Sequence, residues 1–178
     1  MTFESSNFPQ IETERLIIRP LTYEQLLKYA RNDLSLEAEF QLEKSPRTIS
    51  AALQEALEET LIPAVADPGK NYLYNTLWTA IAKAENKIIG DLCIIGEPNS
   101  SGEIEIGYGT YDEFQGRGLM TEMVSGMVSW AKSQSAVKAI LASTEKSNTA
   151  SIRVLQKNDF HQTAENENML QWKLQWTW

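Results

Sequence analysis

A glycine-rich turn ahead of a helix is the part of the sequence best suited to chemistry. Gly116 and Gly118 flank Arg117 in the stretch YDEFQGRGLMTEMVSGMVSWA, residues 111–131, and an apolar helical pattern follows directly. The first amides of a helix have no partner inside it, and the helix dipole adds about half a positive charge there. Glycine allows a close backbone approach, and Arg117 adds a cation. The turn therefore predicts a site for an anion such as a diphosphate.

This turn has two other possible interpretations. It could be a purely structural connection between a strand and a helix. A Rossmann dinucleotide site would need G-x-G-x-x-G early in a parallel βαβ unit. Here Thr121 stands at the third glycine position, and the turn follows a β-meander. These features argue against the Rossmann interpretation and leave the structural one open.

Acidic side chains at alternate positions are the second candidate feature. Glu103 and Glu105 precede the turn in the stretch EIEIGYGT, and in a strand they point to the same face. Such acids could take a proton from a substrate, or they could be two solvated residues on a sheet surface. The single histidine, His161, and the single cysteine, Cys93, argue against a histidine-based triad, a zinc site or an internal disulfide. We expect Cys93 to be a small buried hydrophobe.

The net charge of the chain limits which classes of partner it could bind. The 178 residues carry 16 Lys and Arg against 24 Asp and Glu, a net charge of −8. This argues against nucleic-acid binding, which needs a basic face, and would suit a cationic substrate. No apolar run approaches the ~20 residues of a membrane span. The stretch MTFESSNFPQ lacks the features of a signal peptide, so we expect a cytoplasmic protein.

Strands and helices alternate in the pattern that must position these residues. We expect a strand around residues 16–19 ended by Pro20, and a helix that begins with a capping box of Thr22 and Gln25. A second helix over residues 48–63 should stop at Pro63. Three strands joined by the loops AENK and EPNSSG lead to the glycine turn and its helix.

A strand, a short helix and two strands complete the chain. The tail MLQWKLQWTW alternates strictly, which is typical of a half-buried strand. One face of that strand would carry the apolar residues Leu170, Trp172, Leu174, Trp176 and Trp178. The order of elements, β-α-α-β-β-β-α-β-α-β-β, predicts one mixed α/β domain over residues 1–178.

The sequence resembles the GNAT superfamily of acyl-CoA N-acyltransferases over most of its length. The resemblance is carried by EIGYGTYDEFQGRGLMTE and by SNTASIRVLQKNDF about thirty residues later. It is closest to the branch of ribosomal-protein N-terminal alanine acetyltransferases. It implies an α/β (α+β) GNAT fold, with a mixed, mostly antiparallel sheet of about six or seven strands flanked by helices. It also implies acetyl-CoA as cosubstrate, without a metal.

The family motif Q/R-x-x-G-x-G/A matches at Gln115, Gly118 and Met120. The resemblance thereby implies these cofactor-binding residues: Thr110, Gln115, Gly116, Arg117, Gly118, Leu119, Met120, Thr121, Asn148 and Ser151. Two positions depart from the family. Met120 replaces glycine or alanine, which is tolerable if its side chain packs away from the diphosphate. Asp159 replaces a glycine after the short helix, where aspartate can still adopt the left-handed conformation.

The resemblance also implies a direct acyl transfer without a covalent enzyme intermediate. A backbone N–H near residues 108–110 would polarise the thioester carbonyl. We expect Glu105 to be the base, with Glu103, Glu165 and Glu167 as alternatives. Leu155 occupies the position of the family's usual tyrosine acid, so Ser151 is the expected substitute. Asn148 would bind the pantetheine arm, although Asn148 and Ser151 could simply cap a helix.

The sequence thus predicts an N-acetyltransferase that moves an acetyl group from acetyl-CoA to a primary amine. The resemblance favours a protein N-terminus or a small molecule as acceptor. Met120 and Leu155 leave open an acyl-CoA-binding domain without activity, and an interaction module with a structural glycine turn is a further alternative. The chain could be a monomer or a homodimer through its aromatic closing strand.

Overall fold

A single eight-stranded sheet forms the centre of the molecule. The structure is a computed structural model that describes residues 9–177. The strands are β1 (Ile11–Glu12), β2 (Leu16–Pro20), β3 (Leu77–Ala82), β4 (Lys87–Ile94), β5 (Glu103–Thr110), β6 (Ala139–Glu145), β7 (His161–Glu165) and β8 (Met169–Gln175). Their order across the sheet is β1-β2-β3-β4-β5-β6-β8-β7. All neighbours are antiparallel except β5 and β6, which are parallel.

Helices cover both faces of this sheet. They are α1 (Tyr23–Arg31), α2 (Ser35–Phe40), α3 (Ala51–Ala56), α4 (Ile62–Ala66), α5 (Leu119–Ser133) and α6 (Thr149–Lys157). Ile104 and Ile106 of β5 belong to the larger apolar core, together with Met123 of α5 and Leu155 of α6. A second core joins Leu26 and other residues of α1–α4 to the opposite face. We call these two faces the α5–α6 face and the α1–α4 face. No helix within residues 9–177 is long and apolar enough to cross a membrane.

The mixed, mostly antiparallel GNAT-type sheet expected from the sequence is confirmed, with one strand more than the upper expectation. The two-residue strand β1 makes up the difference, and it pairs only with β2. The capping box is present as expected: the Thr22 side chain accepts from the Gln25 amide, and the Gln25 side chain accepts from the Thr22 amide. Because these signals are local, the sequence was sufficient to predict them.

The helix expected over residues 48–63 differs in one respect. Pro63 does not end it, and the helical path continues through α4 to Ala66. A π-helical segment, Leu57–Leu61, precedes the proline, and the Ile62 amide donates to the Leu57 carbonyl. In an α-helix the proline ring clashes with the carbonyl four residues earlier, and the widened π turn relieves that clash.

Two further local expectations can be compared with the structure. Asp159 has φ of 62°, the left-handed conformation that ends α6, and the Phe160 amide donates to the Leu155 carbonyl. The tail pattern is confirmed through Trp172, which is buried, but strand β8 ends at Gln175. Trp178 lies outside the described residues.

Candidate active site

The sheet opens where β5 parts from β6. The parallel pairing of these strands ends at Ile106 and Ala142, whereas β5 remains paired with β4 as far as Thr110. The Tyr111 amide donates to Ile89 of β4, and Glu105 accepts from the Ile95 amide. The N–H and C=O groups of successive residues in a strand point to opposite sides. The N–H and C=O groups of Tyr108 and Thr110 therefore point away from β4. They face the gap between the splayed strands.

A crevice of about 810 Å³ fills this gap and extends to the start of α5. Most of the cofactor-binding residues expected from the sequence line it, namely Thr110, Gln115, Gly116, Gly118, Leu119, Met120, Thr121, Asn148 and Ser151. The strand end, the glycine turn and the N-terminus of α6 therefore converge on one cavity.

The glycine turn presents a row of unused amides to this crevice. Within the described part of the chain, none of the backbone amides of residues 116–121 donates to a protein acceptor. The turn begins after the Gln115 amide, which donates to Asp112, and ends before the Glu122 amide, which donates to Gly118. Unbonded amides at a helix N-terminus attract anions. The arrangement is therefore a ready-made cradle for a phosphate group.

Both glycines of the turn are required by backbone conformation. Gly116 has φ of 75° and Gly118 has φ of 74°, values that strain any residue with a Cβ. Apart from its chain neighbours, no atom of residues 9–177 would lie within 4 Å of a Cβ on Gly116. The turn is thus both conformationally specific and accessible.

Met120 contributes its amide to the crevice while its side chain packs elsewhere. The residue is 5% exposed and belongs to the core on the α5–α6 face. Its terminal methyl lies close to Gly90 of β4. Methionine therefore fits at this position, because the side chain does not compete with an anion for the amide.

Arg117 differs from the sequence-based expectation. Its guanidinium forms an ion pair with Glu85, and the residue does not line the crevice. The carbonyl of Arg117 accepts a hydrogen bond of 2.8 Å from Arg15 Nη1. In a trans peptide the next N–H points the opposite way, so the Gly118 amide is turned away from Arg15. In this structure the Arg117 carbonyl holds Arg15, while the Arg117 guanidinium is paired with Glu85.

Two basic residues of α6 also line the crevice, and the sequence-based reasoning missed them. Arg153 and Lys157 are one helical turn apart and share the crevice with Asn148. Their spacing by four residues, directly after an N-cap asparagine, was the available signal. They supply the positive charge that Arg117 was expected to provide.

Tyr108 and Ser151 form a hydroxyl pair across the crevice. Ser151 Oγ donates to the Tyr108 hydroxyl at 2.9 Å, and that hydroxyl is 3.2 Å from the Ser151 carbonyl, which can accept from it. Asn148 caps α6, since its Oδ1 accepts from the Ser151 amide. Burial raises the pKa of Tyr108 to about 12, so its hydroxyl stays protonated at neutral pH. The sequence-based reasoning did not pair the Tyr108 hydroxyl with Ser151.

The four glutamates considered as bases lie outside the crevice lining. Glu105 is 3.4 Å from Ser143 Oγ, in the part of β5 that is still paired with β6. Hydrogen bonds from Lys173 and Asn99 hold the pKa of Glu103 below its ordinary value. Glu165 pairs with Lys146, and Glu167 is exposed in the last hairpin.

A buried carboxylate lies on the other face of the same strands. Asp91 of β4 accepts hydrogen bonds from Tyr29 at 2.5 Å and from Tyr111 at 2.7 Å, both at Oδ2. Burial raises the pKa of Asp91 to about 6. Arg47 stacks over the Tyr29 ring at 4.6 Å and pairs with Glu37. This cluster gave no signal in the sequence, because its members come from four separate segments.

A splayed sheet with free helix-terminal amides at the opening is suited to a phosphate-bearing ligand. Residues 15–161 match the family model described as acetyltransferase (GNAT) domain. The chain belongs to the GNAT acetyltransferase family.

Individual known proteins agree with this membership. An uncharacterized N-acetyltransferase of Bacillus subtilis (strain 168), YjdG, is 30% identical over 96 residues. The match covers 52% of this chain and 57% of that relative, so it spans little more than half of its length.

Two solved structures share the fold. The ribosomal-protein-S5-alanine acetyltransferase of Vibrio fischeri has a TM-score of 0.68 and 18% identity, over 94% of this chain and 96% of that one. RimL, a ribosomal L7/L12 alpha-N-protein acetyltransferase in complex with coenzyme A, has a TM-score of 0.66 and 14% identity, over 94% and 98%.

Proposed function

We propose that this protein is an N-acetyltransferase that moves the acetyl group of acetyl-CoA directly to a primary amine. The observation that carries the proposal is the row of unbonded amides at residues 116–121, which opens into a crevice long enough to reach the splayed end of β5. Membership of the GNAT acetyltransferase family supports the same reaction. Acetyl-CoA would supply the thioester and the diphosphate.

Different lining residues suit different chemical groups of this cosubstrate. The amides of residues 116–121 suit the diphosphate, and Arg153 and Lys157 add positive charge nearby. Asn148, at the start of α6, suits an amide of the pantetheine arm. The peptide groups of Tyr108 and Thr110 face the gap, where a free N–H would stabilise negative charge developing on the thioester oxygen.

The hydroxyl pair of Tyr108 and Ser151 is suited to donate a hydrogen bond to the leaving thiolate. A tyrosine whose pKa is about 12 remains a hydrogen-bond donor at neutral pH. It lies at the opening between the strands with Ser151 beside it. In this proposal the pair takes the role that the family usually gives to a tyrosine at the position of Leu155, which is buried in the core here.

The acceptor is a primary amine at a protein N-terminus or on a small molecule. The names of the two solved relatives, both ribosomal-protein acetyltransferases, favour the first class. The net charge of −8 suits a cationic acceptor of either class. The resemblance assigns the base to Glu105, and that assignment stays a prediction.

A binding measurement followed by a turnover assay tests the proposal. We expect acetyl-CoA to raise the melting temperature and thiol release to appear with an alanine-initiated hexapeptide or with n-butylamine. Stabilisation without turnover over a wide amine panel would instead indicate an acyl-CoA-binding domain. A protein that acetyl-CoA does not stabilise would be an interaction module, and the proposal would fail.

A further inference from the structure

We propose that Asp91 forms the subsite for the acceptor's ammonium group and takes its first proton. This assignment rests on the proposed function and adds to it the place where the amine binds. It concerns the α1–α4 face of the sheet, whereas the diphosphate cradle lies at the start of α5.

The hydrogen bonding of Asp91 leaves one carboxylate oxygen unused. The residue is 5% exposed, and both tyrosine hydroxyls bind the same oxygen, Oδ2. Within residues 9–177, Oδ1 is buried and has no hydrogen-bond partner. A buried carboxylate oxygen without a donor is costly. A primary ammonium, which carries three N–H donors, would satisfy it.

Gly109 provides the space for such a group. It is the direct cross-strand partner of Asp91, so both residues face the α1–α4 side. Among the described residues, none other than its chain neighbours has an atom within 4 Å of a Cβ placed on Gly109, and Gly109 also lines the crevice. Directly opposed Cβ positions are about 5 Å apart. An amine lying over Gly109 would therefore be next to Asp91 and beside the splayed end of β5.

Position along the strand favours Asp91 over Glu105. Glu105 is four residues before Gly109, which corresponds to about 13 Å of strand. It also lies where β5 is paired with β6, opposite Leu141, and not at the gap. Asp91 is opposite Gly109, which lies between the two residues whose peptide groups face the gap.

The charges around Asp91 suit a cation. Tyr29 packs from α1 and Tyr111 follows β5, and both stay neutral because burial and the charge of Asp91 raise their pKa values. Arg47 is the nearby cation, and its charge is paired with Glu37. Cys93, on the same strand, has its pKa raised mainly by burial and stays neutral. The cluster of Asp91, Glu37 and Arg47 thus carries one negative charge in excess when its members are ionised.

The proton and electron balance of the step is complete with the proposed substrates. The ammonium gives one proton to the Asp91 carboxylate, and the nitrogen lone pair forms the new bond to the acetyl carbon. The carbon–sulfur bond breaks, and its electron pair stays on sulfur. A second nitrogen proton passes to the thiolate, and Asp91 later returns its proton to water.

The test compares Asp91→Asn with the rival variant Glu105→Gln, using n-butylamine and an alanine-initiated hexapeptide. We expect D91N to lower kcat/KM for the amine about 100-fold or more, with the Kd for acetyl-CoA within twofold of wild type. E105Q, which changes the base that the resemblance implies, should lower kcat/KM less than D91N does. The opposite pattern, with D91N active and E105Q inactive, would overturn the assignment.

A pH profile provides the second readout. For the wild type, kcat/KM should rise through pH 6 as Asp91 ionises, and fall as the amine loses its proton. The limb near pH 6 should be absent from D91N. If D91N does not fold, Tyr111→Phe serves instead, since losing one hydrogen bond to Asp91 should move that limb to higher pH. A limb unchanged in Y111F would contradict the proposal.

The outcomes also separate this inference from the proposed function. A wild-type protein that binds no acetyl-CoA, or that acetylates no amine, overturns both. A wild-type enzyme with normal turnover and an equally active, folded D91N overturns only the assignment of Asp91.

Discussion

Arg15 donates two hydrogen bonds to the Glu122 carboxylate, although the two residues are 107 positions apart in the sequence. Arg15 Nε is 2.6 Å from Glu122 Oε2, and the Arg15 amide is 2.7 Å from Oε1. The same guanidinium donates to the carbonyl of Arg117. Glu122 is in the first turn of α5, where its charge would oppose an anion. Arg15 therefore compensates that charge and fixes the orientation of the turn.

Arg15→Gln should weaken the binding of coenzyme A. The pair is partly exposed, with the Arg15 side chain 46% accessible, so we expect about 1 kcal/mol, a Kd about fivefold higher by calorimetry. Binding of S-acetylpantetheine, which lacks the diphosphate, should not change. Lys83→Gln is the matched control, since Lys83 bonds Glu12 and Thr13 without touching the glycine turn. Equal losses in both variants would contradict this role.

Gly118→Ala should destabilise the protein and impair cofactor binding together. Its φ of 74° costs a residue with a Cβ about 1 kcal/mol. Gly96→Ala provides the control, because Gly96 has φ of 88° in open space outside the crevice lining. We expect similar shifts in unfolding free energy for both variants, but a higher Kd for coenzyme A only in G118A. Gly118→Asp should weaken binding further by adding a carboxylate. An unchanged Kd in G118D would place the anion site elsewhere.

Tyr108→Phe and Ser151→Ala should each lower kcat while leaving the Kd for acetyl-CoA nearly unchanged. The two hydroxyls share one hydrogen bond of 2.9 Å, so the double variant should lose less than the sum of the single losses. We expect single losses of about 10- to 100-fold in steady-state thiol release. Strict additivity would show that the hydroxyls act independently.

Met120→Ala should affect stability far more than ligand binding. The buried side chain leaves a cavity on truncation, which costs about 2–5 kcal/mol in chemical denaturation. Met120→Leu keeps the volume and should cost less than about 1.5 kcal/mol. Coenzyme A should bind folded M120A within about twofold of wild type, because only the backbone amide at this position faces the crevice. A large change in Kd would show that the side chain takes part in binding.

The free energy of unfolding should report on Asp91 as pH changes. Its folded pKa of about 6 lies above the ordinary value of 3.8, so the folded state binds more protons between these values. The contribution of Asp91 to stability is therefore greatest below pH 4 and falls as pH rises to about 6. The unfolding free energy of D91N, relative to that of wild type, should rise by about 3 kcal/mol between pH 4 and pH 6 and stay constant above pH 7. A constant difference across pH 4–7 would contradict the raised pKa.

The sequence was informative wherever the signal was local. The three strands joined by the loops AENK and EPNSSG, the capping box at Thr22 and the glycine turn were each predicted correctly as local structure. The apolar helical pattern after the turn also predicted α5, and the left-handed conformation of Asp159 was expected from its position just after a helix. Pro63 was misread because a proline alone does not reveal a π turn before it.

The sequence by itself determined which segments become strands and helices, and that a turn with two glycines begins α5, because periodicity and capping depend on neighbouring residues. Only the tertiary structure decided which side chains share a site. The pairing of Tyr108 with Ser151, of Arg15 with Glu122 and of Asp91 with Tyr29 depends on strand order, register and the splay after Ile106. Those relations join segments more than forty residues apart, and a local pattern carries no information about them.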